Sequence, residues 1–204
     1  IQALINSYGI VPSLVQVRES STPSSFYPTA SFETYEEVTN VLEIDSGAYI
    51  QIPWAEMSRS AQTVEVRFQP TVTEEMSLLN PDAFWIITLV PTTGSYGYIN
   101  VTDTTNNTLA SSSIFPLYNG DYYTLMMQYS SSVLFRIGSA DNSVLTTDLT
   151  FVESGSTIAN SWQSRSYLYL GGFGSWANPT FTGNIDEFRI WGESISSTVF
   201  EQHV

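Results

Sequence analysis

The chain has 204 residues, no cysteine and no lysine, and twenty acidic residues against six arginines give a formal net charge of −14. An acidic chain without lysine repels phosphate backbones, which excludes nucleic-acid binding. The missing cysteines exclude disulfide scaffolds and thiolate metal sites, and no apolar run reaches the roughly 18 residues that membrane insertion requires. Hydrophobic residues make up 42% of the chain, enough for a large core in one domain.

The first residues differ in composition from the rest. Residues 1–31 combine an apolar stretch without a clean period and a segment rich in Ser, Thr and Pro. Two interpretations stay open: an N-terminal arm, a linker or the tail of a preceding domain, or an edge strand with a surface loop of the same domain. The predicted boundaries are 1–31 for the arm and 32–204 for the folded domain.

From residue 32 onward, short runs alternate apolar and polar residues, with turn residues between them. In TVEVRFQ (63–69), Val64, Val66 and Phe68 share one face, and the apolar run FWIITLV (84–90) predicts a buried central strand. Further runs lie at 48–52, 96–101, 122–130, 133–138, 143–151, 167–172 and 186–191. This pattern predicts an all-β, two-sheet antiparallel sandwich. Ser196 or Ser197 as an N-cap predicts a short C-terminal helix.

Three blocks of sequence carry a family resemblance. They are VLEIDSGAYIQIP followed by AQTVEVRFQPT, then YYTLMMQYSSSVLFRIGSADNSVL, and then SYLYLGGFGSWANPTFTGNIDEFRIWGESIS. In this order the blocks resemble the laminin-G-like or concanavalin-A-like jelly roll, over residues 32–204. The segment from Phe181 to Ser196 is the most specific part. The resemblance implies a jelly-roll sandwich, in a superfamily that includes both recognition domains and glucanases.

The last block also suggests a cation site. In DEFRIW, Asp186 is in phase with Phe188 and Ile190, so we expect it to point toward the interior. A buried carboxylate needs a partner, and arginine is scarce, which favours a cation or backbone N–H groups. The resemblance implies a structural calcium between Asp186 and Glu33 of an early strand. Hydrogen bonds to loop amides, or a protonated carboxyl group, remain the alternative.

The sequence predicts no enzyme. Retaining glycosidases place two carboxylates about 5–5.5 Å apart, and glucanases of the resembled superfamily carry them on one strand as E-hydrophobic-D-x-x-E. Glu43 and Asp45 begin such a pattern, but no glutamate completes it. His203, the only histidine, lies next to the C-terminus, so the sequence predicts no serine–histidine arrangement.

Aromatic residues in polar or glycine-rich segments are candidate ligand contacts. Trp176 and Phe173 lie in GGFGSWANPTF, and Trp162 lies in ANSWQSRS. An exposed aromatic ring is typical of glycan and protein binding sites. Alternatively, Trp176 covers the edge of the core as a lid. Asn100 and Asn106 begin Asn-x-Thr sequons, the acceptors of N-linked glycans in secreted chains.

Two functions compete on this basis. The first is an extracellular recognition or adhesion domain that binds a glycan or a protein, with calcium as a possible structural cofactor. The second is a building block of a virion, fibre or surface filament, in which the arm at 1–31 contacts neighbouring copies. The high content of Ser and Thr and the absence of lysine are a compositional argument for the second function, which remains the alternative to the first.

Overall fold

A computed structural model describes residues 41–45, 47–54, 62–81, 84–141, 144–153, 155, 157–162, 165–172 and 179–204. They belong to a compact unit, Thr39–Val204. The predicted arm at 1–31 and its boundary with the domain lie outside the described residues.

Twelve strands and two short helices make up the described part of the chain. The strands are β1 (Leu42–Ile44), β2 (Ile50–Pro53), β3 (Thr63–Pro70), β4 (Met76–Pro81), β5 (Trp85–Pro91), β6 (Gly97–Asp103), β7 (Thr108–Ser111), β8 (Tyr123–Tyr129), β9 (Val133–Asp141), β10 (Val144–Val152), β11 (Tyr167–Leu170) and β12 (Gly183–Trp191). The helices are α1 (Thr157–Ser161) and α2 (Ser197–Glu201).

The strands form two antiparallel sheets of six strands each. Sheet A has the order β1-β12-β3-β8-β9-β10, and sheet B has the order β2-β11-β4-β5-β6-β7. The last strand, β12, pairs with β1, the first of the described strands, and with β3. The prediction of an all-β, two-sheet antiparallel sandwich is confirmed.

Strand alternation places the core between the sheets, because successive side chains point to opposite faces. Sheet A contributes Val64, Val66 and Phe68, as predicted, and the central strand of sheet B contributes Ile87 and Leu89. All five are almost fully buried. The remaining positions of these strands form the two outer faces, where both pockets described below lie.

The helix predicted at the C-terminal end is confirmed as α2. Ser196 has extended backbone angles and accepts a hydrogen bond from the Val199 N–H, as an N-cap residue does. The buried ring of Phe200 lies against the outer face of sheet A. Residues 192–204, here called the C-terminal cover, therefore lie over that face.

Helix α1 was not predicted. Its first turn is held by the carboxylate of Glu153, whose Oε1 accepts a 2.8 Å hydrogen bond from the Ile158 N–H. The helix is short and its sequence is mostly polar, so no hydrophobic periodicity predicts it. A buried acidic side chain upstream supplies the cap instead.

Candidate functional site

A polar pocket lies on the outer face of sheet B, with a volume of about 240 Å³. We call it the sheet B pocket; its described lining residues are Glu75, Thr88, Asn100, Thr102 and Asn106. Thr88 and Thr102 are buried at its floor, Asn100 is half-buried, and Glu75 and Asn106 are exposed at its rim. Every one of these side chains is polar, and none is cationic.

Strand pairing puts the floor residues together. Thr88 of β5 lies directly opposite Asn100 of β6, and Thr102 follows two residues later on the same face. The alternate residues of β6, Ile99 and Val101, point into the core. The hydrophobic packing of the sandwich therefore fixes the positions of the polar groups on the other face.

The turn after β6 holds Asn106 at the rim. The Asp103 carboxylate accepts hydrogen bonds from the backbone N–H groups of Thr105 and Asn107 and from both of their side chains, at 2.8–3.0 Å. These bonds, first those from Asn107, lower the pKa of Asp103 to about 2. Asn106 has a φ of 63°, a left-handed conformation that asparagine tolerates better than most residues. The turn is thus preformed.

The side chains around this pocket are largely unengaged. Within the part of the chain that the structure describes, the side chains of Glu75, Asn100, Thr102 and Asn106 make no hydrogen bond with protein groups. A carboxamide offers donors and acceptors, a hydroxyl offers both, and a carboxylate accepts. A small ligand with several hydroxyl groups satisfies such a set, whereas an anion meets the Glu75 carboxylate and finds no cation in the described lining.

A larger pocket, of about 460 Å³, lies on the outer face of sheet A beside the C-terminal cover. Its central group, Arg136, is only 8% exposed and is fully engaged. The guanidinium donates to both oxygens of Asp148 at 2.7 and 2.8 Å, to Glu201 at 3.0 Å and to the Ser197 carbonyl at 3.3 Å. It also lies over the ring of Phe200. These polar groups hold the C-terminal cover in place, and few of their hydrogen-bonding positions remain for a ligand.

The same face carries a buried carboxylate cluster. Glu65 is 1% exposed, and its carboxylate accepts a 2.8 Å hydrogen bond from Trp191 Nε1 and lies 2.9 Å from His203 Nδ1. The rings of His203 and Trp191 stack with 5.4 Å between their centroids. The alternation of Val64, Val66 and Phe68 already implies that Glu65 lies on the outer face, but it gives no sign of the burial of Glu65 or of its contact with His203. The cluster fastens the cover to sheet A.

Trp162 is not an exposed ligand contact, so that prediction is wrong. The side chain is 1% exposed and lies in the core at the end of α1. It packs edge-on against Trp54 and stacks on Tyr129, each with 5.4 Å between ring centroids. Trp54 Nε1 also donates a 2.7 Å hydrogen bond to the Trp162 carbonyl. The neighbouring polar residues misled the prediction, because one helical turn is enough to direct a single aromatic ring inward.

Asp186 does not point into the interior, contrary to the expectation from its phase. A register shift between Ile185 and Glu187 in the β12–β3 pairing inserts Asp186 as an extra residue. Its carboxylate lies 3.2 Å from the guanidinium of Arg67, on the outer face of sheet A. The partner of Asp186 is therefore an arginine, although arginine is scarce in this chain.

The remaining predicted site residues cannot be placed. Glu33, Phe173 and Trp176 lie outside the described residues, so calcium binding at Glu33 and Asp186 stays a prediction. Among the residues that the structure does describe, no three His, Cys, Asp or Glu side chains are grouped to hold a metal ion. Glu187 and Arg189, two positions apart on β12, form an ion pair.

Sequence reasoning missed the sheet B pocket, although two of its residues had been noticed for another reason. Asn100 and Asn106 begin the two Asn-x-Thr patterns, and both line the pocket. The available signal was a set of polar residues at alternate positions of an otherwise apolar hairpin. Such residues read equally well as an ordinary solvated face, so the pattern alone did not indicate a pocket.

Comparisons with known proteins give the fold but no sequence relative. No protein-family model matches the chain, and no curated protein matches its sequence. The LG1-3 region of the laminin α2 chain is similar in structure, with a TM-score of 0.52, 11% identity and coverage of 74% of this chain and 31% of that one. This chain thus spans under a third of that laminin structure.

Two further structures resemble the chain less well. A heptameric SAP-like pentraxin from Limulus polyphemus has a TM-score of 0.41, with 10% identity and coverage of 78% of this chain and 72% of that one. Tailspike protein 2 of the Escherichia coli O157:H7 bacteriophage CAB120 has a TM-score of 0.46, with 13% identity and coverage of 71% and 21%. No helix among the described residues is long and apolar enough to cross a membrane. Strand order and the laminin comparison together show that the chain has the concanavalin-A-like jelly-roll fold found in laminin G domains.

Proposed function

We propose that the chain is a non-catalytic recognition domain, displayed outside the cell or on a virion, that binds neutral glycans in the sheet B pocket. One observation carries the proposal. Four polar side chains line the pocket on a rigid sheet and a preformed turn, without hydrogen-bond partners among the described residues. Preorganised polar groups lose little conformational entropy when they bind a ligand.

The charge of the chain supports neutral rather than acidic glycans. The net charge of −14 and the Glu75 carboxylate at the rim repel sulfated or sialylated sugars. A pocket of about 240 Å³ is small even by the standard of ligand sites, which favours one or two sugar rings over a long chain. Catalysis is not part of the proposal, because Glu75 is the single carboxylate in the described lining and glycoside hydrolysis needs two.

A glycan array of neutral and acidic oligosaccharides tests the proposal, followed by titration calorimetry with the best neutral sugar. Two variants remove polar groups without disturbing the backbone. Thr102→Val keeps the shape of the side chain, and Asn106→Gly keeps the left-handed turn. Each loses about one hydrogen bond to the sugar, so we expect roughly two- to tenfold weaker binding.

The matched control is Gln51→Ala on β2, an exposed residue of the same sheet but four strands from β6, about 19 Å away. We expect it to bind like the wild type. The proposal is contradicted if no neutral glycan binds, or if Thr102→Val and Asn106→Gly bind as well as Gln51→Ala. Running the array with calcium and with a chelator tests the predicted cation separately.

The second candidate, a building block of a surface assembly, is favoured by a different observation. Sheet A ends in a nine-residue strand, β10, with no strand on its other side among the described residues. Such an edge can pair with another chain. A recognition domain and an assembly unit are compatible in one molecule, because the pocket and this edge lie on different sheets.

A further inference from the structure

Both sequons of the chain lie at the sheet B pocket. Asn100 is on β6 and faces Thr88 of β5, and Asn106 is in the turn after β6, at the rim of the pocket. In a chain that passes through a secretory pathway, the carboxamide of a sequon asparagine is the acceptor of an N-linked glycan. Two lining residues of the pocket are therefore also candidates for covalent modification.

The two neighbouring asparagines of the turn have different roles. The Asn107 carboxamide donates hydrogen bonds to the Asp103 carboxylate at 3.0 Å and to the Thr105 hydroxyl at 2.7 Å. Asn106 donates only through its backbone N–H, to the Asp103 carbonyl at 3.1 Å, and its side chain has no hydrogen-bond partner among the described residues. Asn107 therefore builds the turn, and the turn holds the Asn106 carboxamide beside the pocket.

Of these two asparagines, the one with the unengaged side chain begins the sequon. Asn106 is followed two positions later by Thr108, whereas Asn107 is followed two positions later by Leu109. All three residues of the sequon, 106–108, are exposed. A glycan on Asn106 Nδ2 would thus displace no buried group and break no hydrogen bond that the described structure contains.

The sequon at Asn100 is in a different position. Strand β6 is paired on both sides, Asn100 is half-buried, and Thr102 is only 8% exposed. A sugar on the Asn100 carboxamide would have to lie inside the pocket, against Thr88. Because N-linked glycans are bulky and lie on protein surfaces, Asn106 is the better acceptor of the two.

We propose that Asn106 carries an N-linked glycan when the chain is secreted, and that this glycan blocks the sheet B pocket. The donor is an oligosaccharide linked to a lipid diphosphate. The bond between C1 of its first sugar and the diphosphate oxygen breaks, the bond between C1 and Asn106 Nδ2 forms, and one amide proton is released with the lipid diphosphate. The attachment stands on its own, whereas the blocking rests on the proposed function.

Tethering explains why the attached glycan blocks the pocket. The sugars of an N-linked glycan that lie nearest to the protein are neutral, as the proposed ligands are. A ligand joined to the rim by a short flexible link has an effective concentration of about millimolar. The attached sugars therefore fill the pocket even when its affinity for them is modest, and free glycans must compete with them.

The mass of the secreted chain tests the attachment. The full chain is secreted from a mammalian cell line and compared with the same chain from the bacterial cytosol, where no N-linked glycan is added. We expect an added mass that peptide-N-glycosidase removes, with conversion of Asn106 to aspartate in the peptide map. Thr108→Val destroys the sequon and keeps the shape of the side chain, so the added mass should be lost. Thr108→Ser keeps the sequon and is the matched control.

The binding of free sugars tests the blocking. The probe is the neutral oligosaccharide that binds the bacterial wild type best on the array, and titration calorimetry measures its affinity. We expect the secreted wild type and Thr108→Ser to bind it at least about tenfold more weakly than secreted Thr108→Val. Thr108→Val should bind like the bacterial wild type, and Thr108→Ala is a second variant without the sequon.

Each outcome supports or overturns one part of the proposal. A secreted chain with unmodified Asn106, or an added mass that Thr108→Val does not reduce, overturns the attachment. A chain glycosylated at Asn106 that binds as well as the bacterial chain overturns the blocking. If the bacterial chain binds no neutral glycan, the proposed function fails and the blocking fails with it, while the mass still decides the attachment. Circular dichroism checks that each variant is folded.

Discussion

The outer faces of the two sheets arise from similar sequence patterns, but they differ in whether other parts of the chain contact their polar side chains. On sheet A, Glu65, Arg136 and Asp148 occupy outward positions, and each is engaged by the C-terminal cover or by a residue beside it. On sheet B, Asn100 and Thr102 occupy equivalent outward positions and line the sheet B pocket, and their side chains have no hydrogen-bond partner among the described residues. The strands of the two sheets are alike. The difference comes from the C-terminal cover, whose Glu201 and His203 contact Arg136 and Glu65 from more than fifty positions away in sequence.

This comparison separates two uses of an outward polar residue. Where a distant segment covers it, the residue contributes to stability, and its removal should destabilise the fold. Where nothing engages it, its removal should leave the free energy of unfolding unchanged and affect ligand binding alone. Substitutions on the two faces therefore test this distinction.

The largest effect is expected for Phe200→Ala. The ring is fully buried between the cover and sheet A, where it lies under the Arg136 guanidinium and against Gly138. Removing a buried phenylalanine ring costs about 3–5 kcal/mol of unfolding free energy. Urea denaturation measures the loss. Thr198→Ala, exposed on the same helix, should change stability by less than about 0.5 kcal/mol, and equal losses in both would mean that the cover does not pack as described.

Glu65→Ala should have the next largest effect. It leaves Nε1 of the half-buried Trp191 without its acceptor and removes the partner of His203, at a cost of about 1–3 kcal/mol. The control is Glu187→Ala on the same face, whose partly exposed ion pair with Arg189 is worth about 0–1 kcal/mol. The same denaturation experiment compares the two, and a loss for Glu187→Ala as large as that for Glu65→Ala would argue against the buried cluster.

A smaller effect is expected from Asp148 at acidic pH. Arg136 lowers the pKa of Asp148 in the folded protein, while burial opposes the shift. A lowered pKa stabilises the fold above the unfolded value of about 3.9, and this stabilisation is lost as the pH falls through the folded pKa. Asp148→Asn should therefore flatten the decline of melting temperature below about pH 4. An unchanged acid limb would show that the ion pair contributes nothing measurable.

The smallest effect on stability is expected for Thr102→Val in the sheet B pocket. Its hydroxyl has no protein partner in the described residues, and valine favours strands, so the free energy of unfolding should stay within about 0.5 kcal/mol of the wild type. This result, together with weaker glycan binding, would complete the contrast with Glu65→Ala. A marked loss of stability would show instead that the pocket side chains support the fold.

The fold was predictable because its signals are local and repeated. Two patterns predict the strands: the alternation of Val64, Val66 and Phe68, and the continuous apolar run of β5. Ser196, as an N-cap residue, predicts the last helix. Asp186 shows where such reasoning fails, since one inserted bulge residue reverses the expected direction of a side chain without changing the pattern. The prediction for Trp162 was wrong for a related reason, because the single helical turn that directs its side chain inward is too short to show a hydrophobic period in the sequence.

The outer faces were less predictable than the core. Whether Glu65 is buried depends on His203, 138 positions later, and no spacing rule joins two residues so far apart. The sheet B pocket was unpredictable for the opposite reason. In the sequence, Asn100 and Thr102 resemble ordinary solvated residues, and only the structure shows that the turn with Asn106 lies beside them. Long-range coverage, rather than local propensity, decides what an outward residue does.

The position of β12 has a consequence for biosynthesis. This strand is the last one in chain order, yet it lies inside sheet A, between β1 and β3. A ribosome delivers β1 and β3 more than a hundred residues before the strand that joins them, so an emerging chain presents two unjoined ribbons for several seconds. Until β12 emerges, the edges of β1 and β3 that it joins stay open to pairing with other chains.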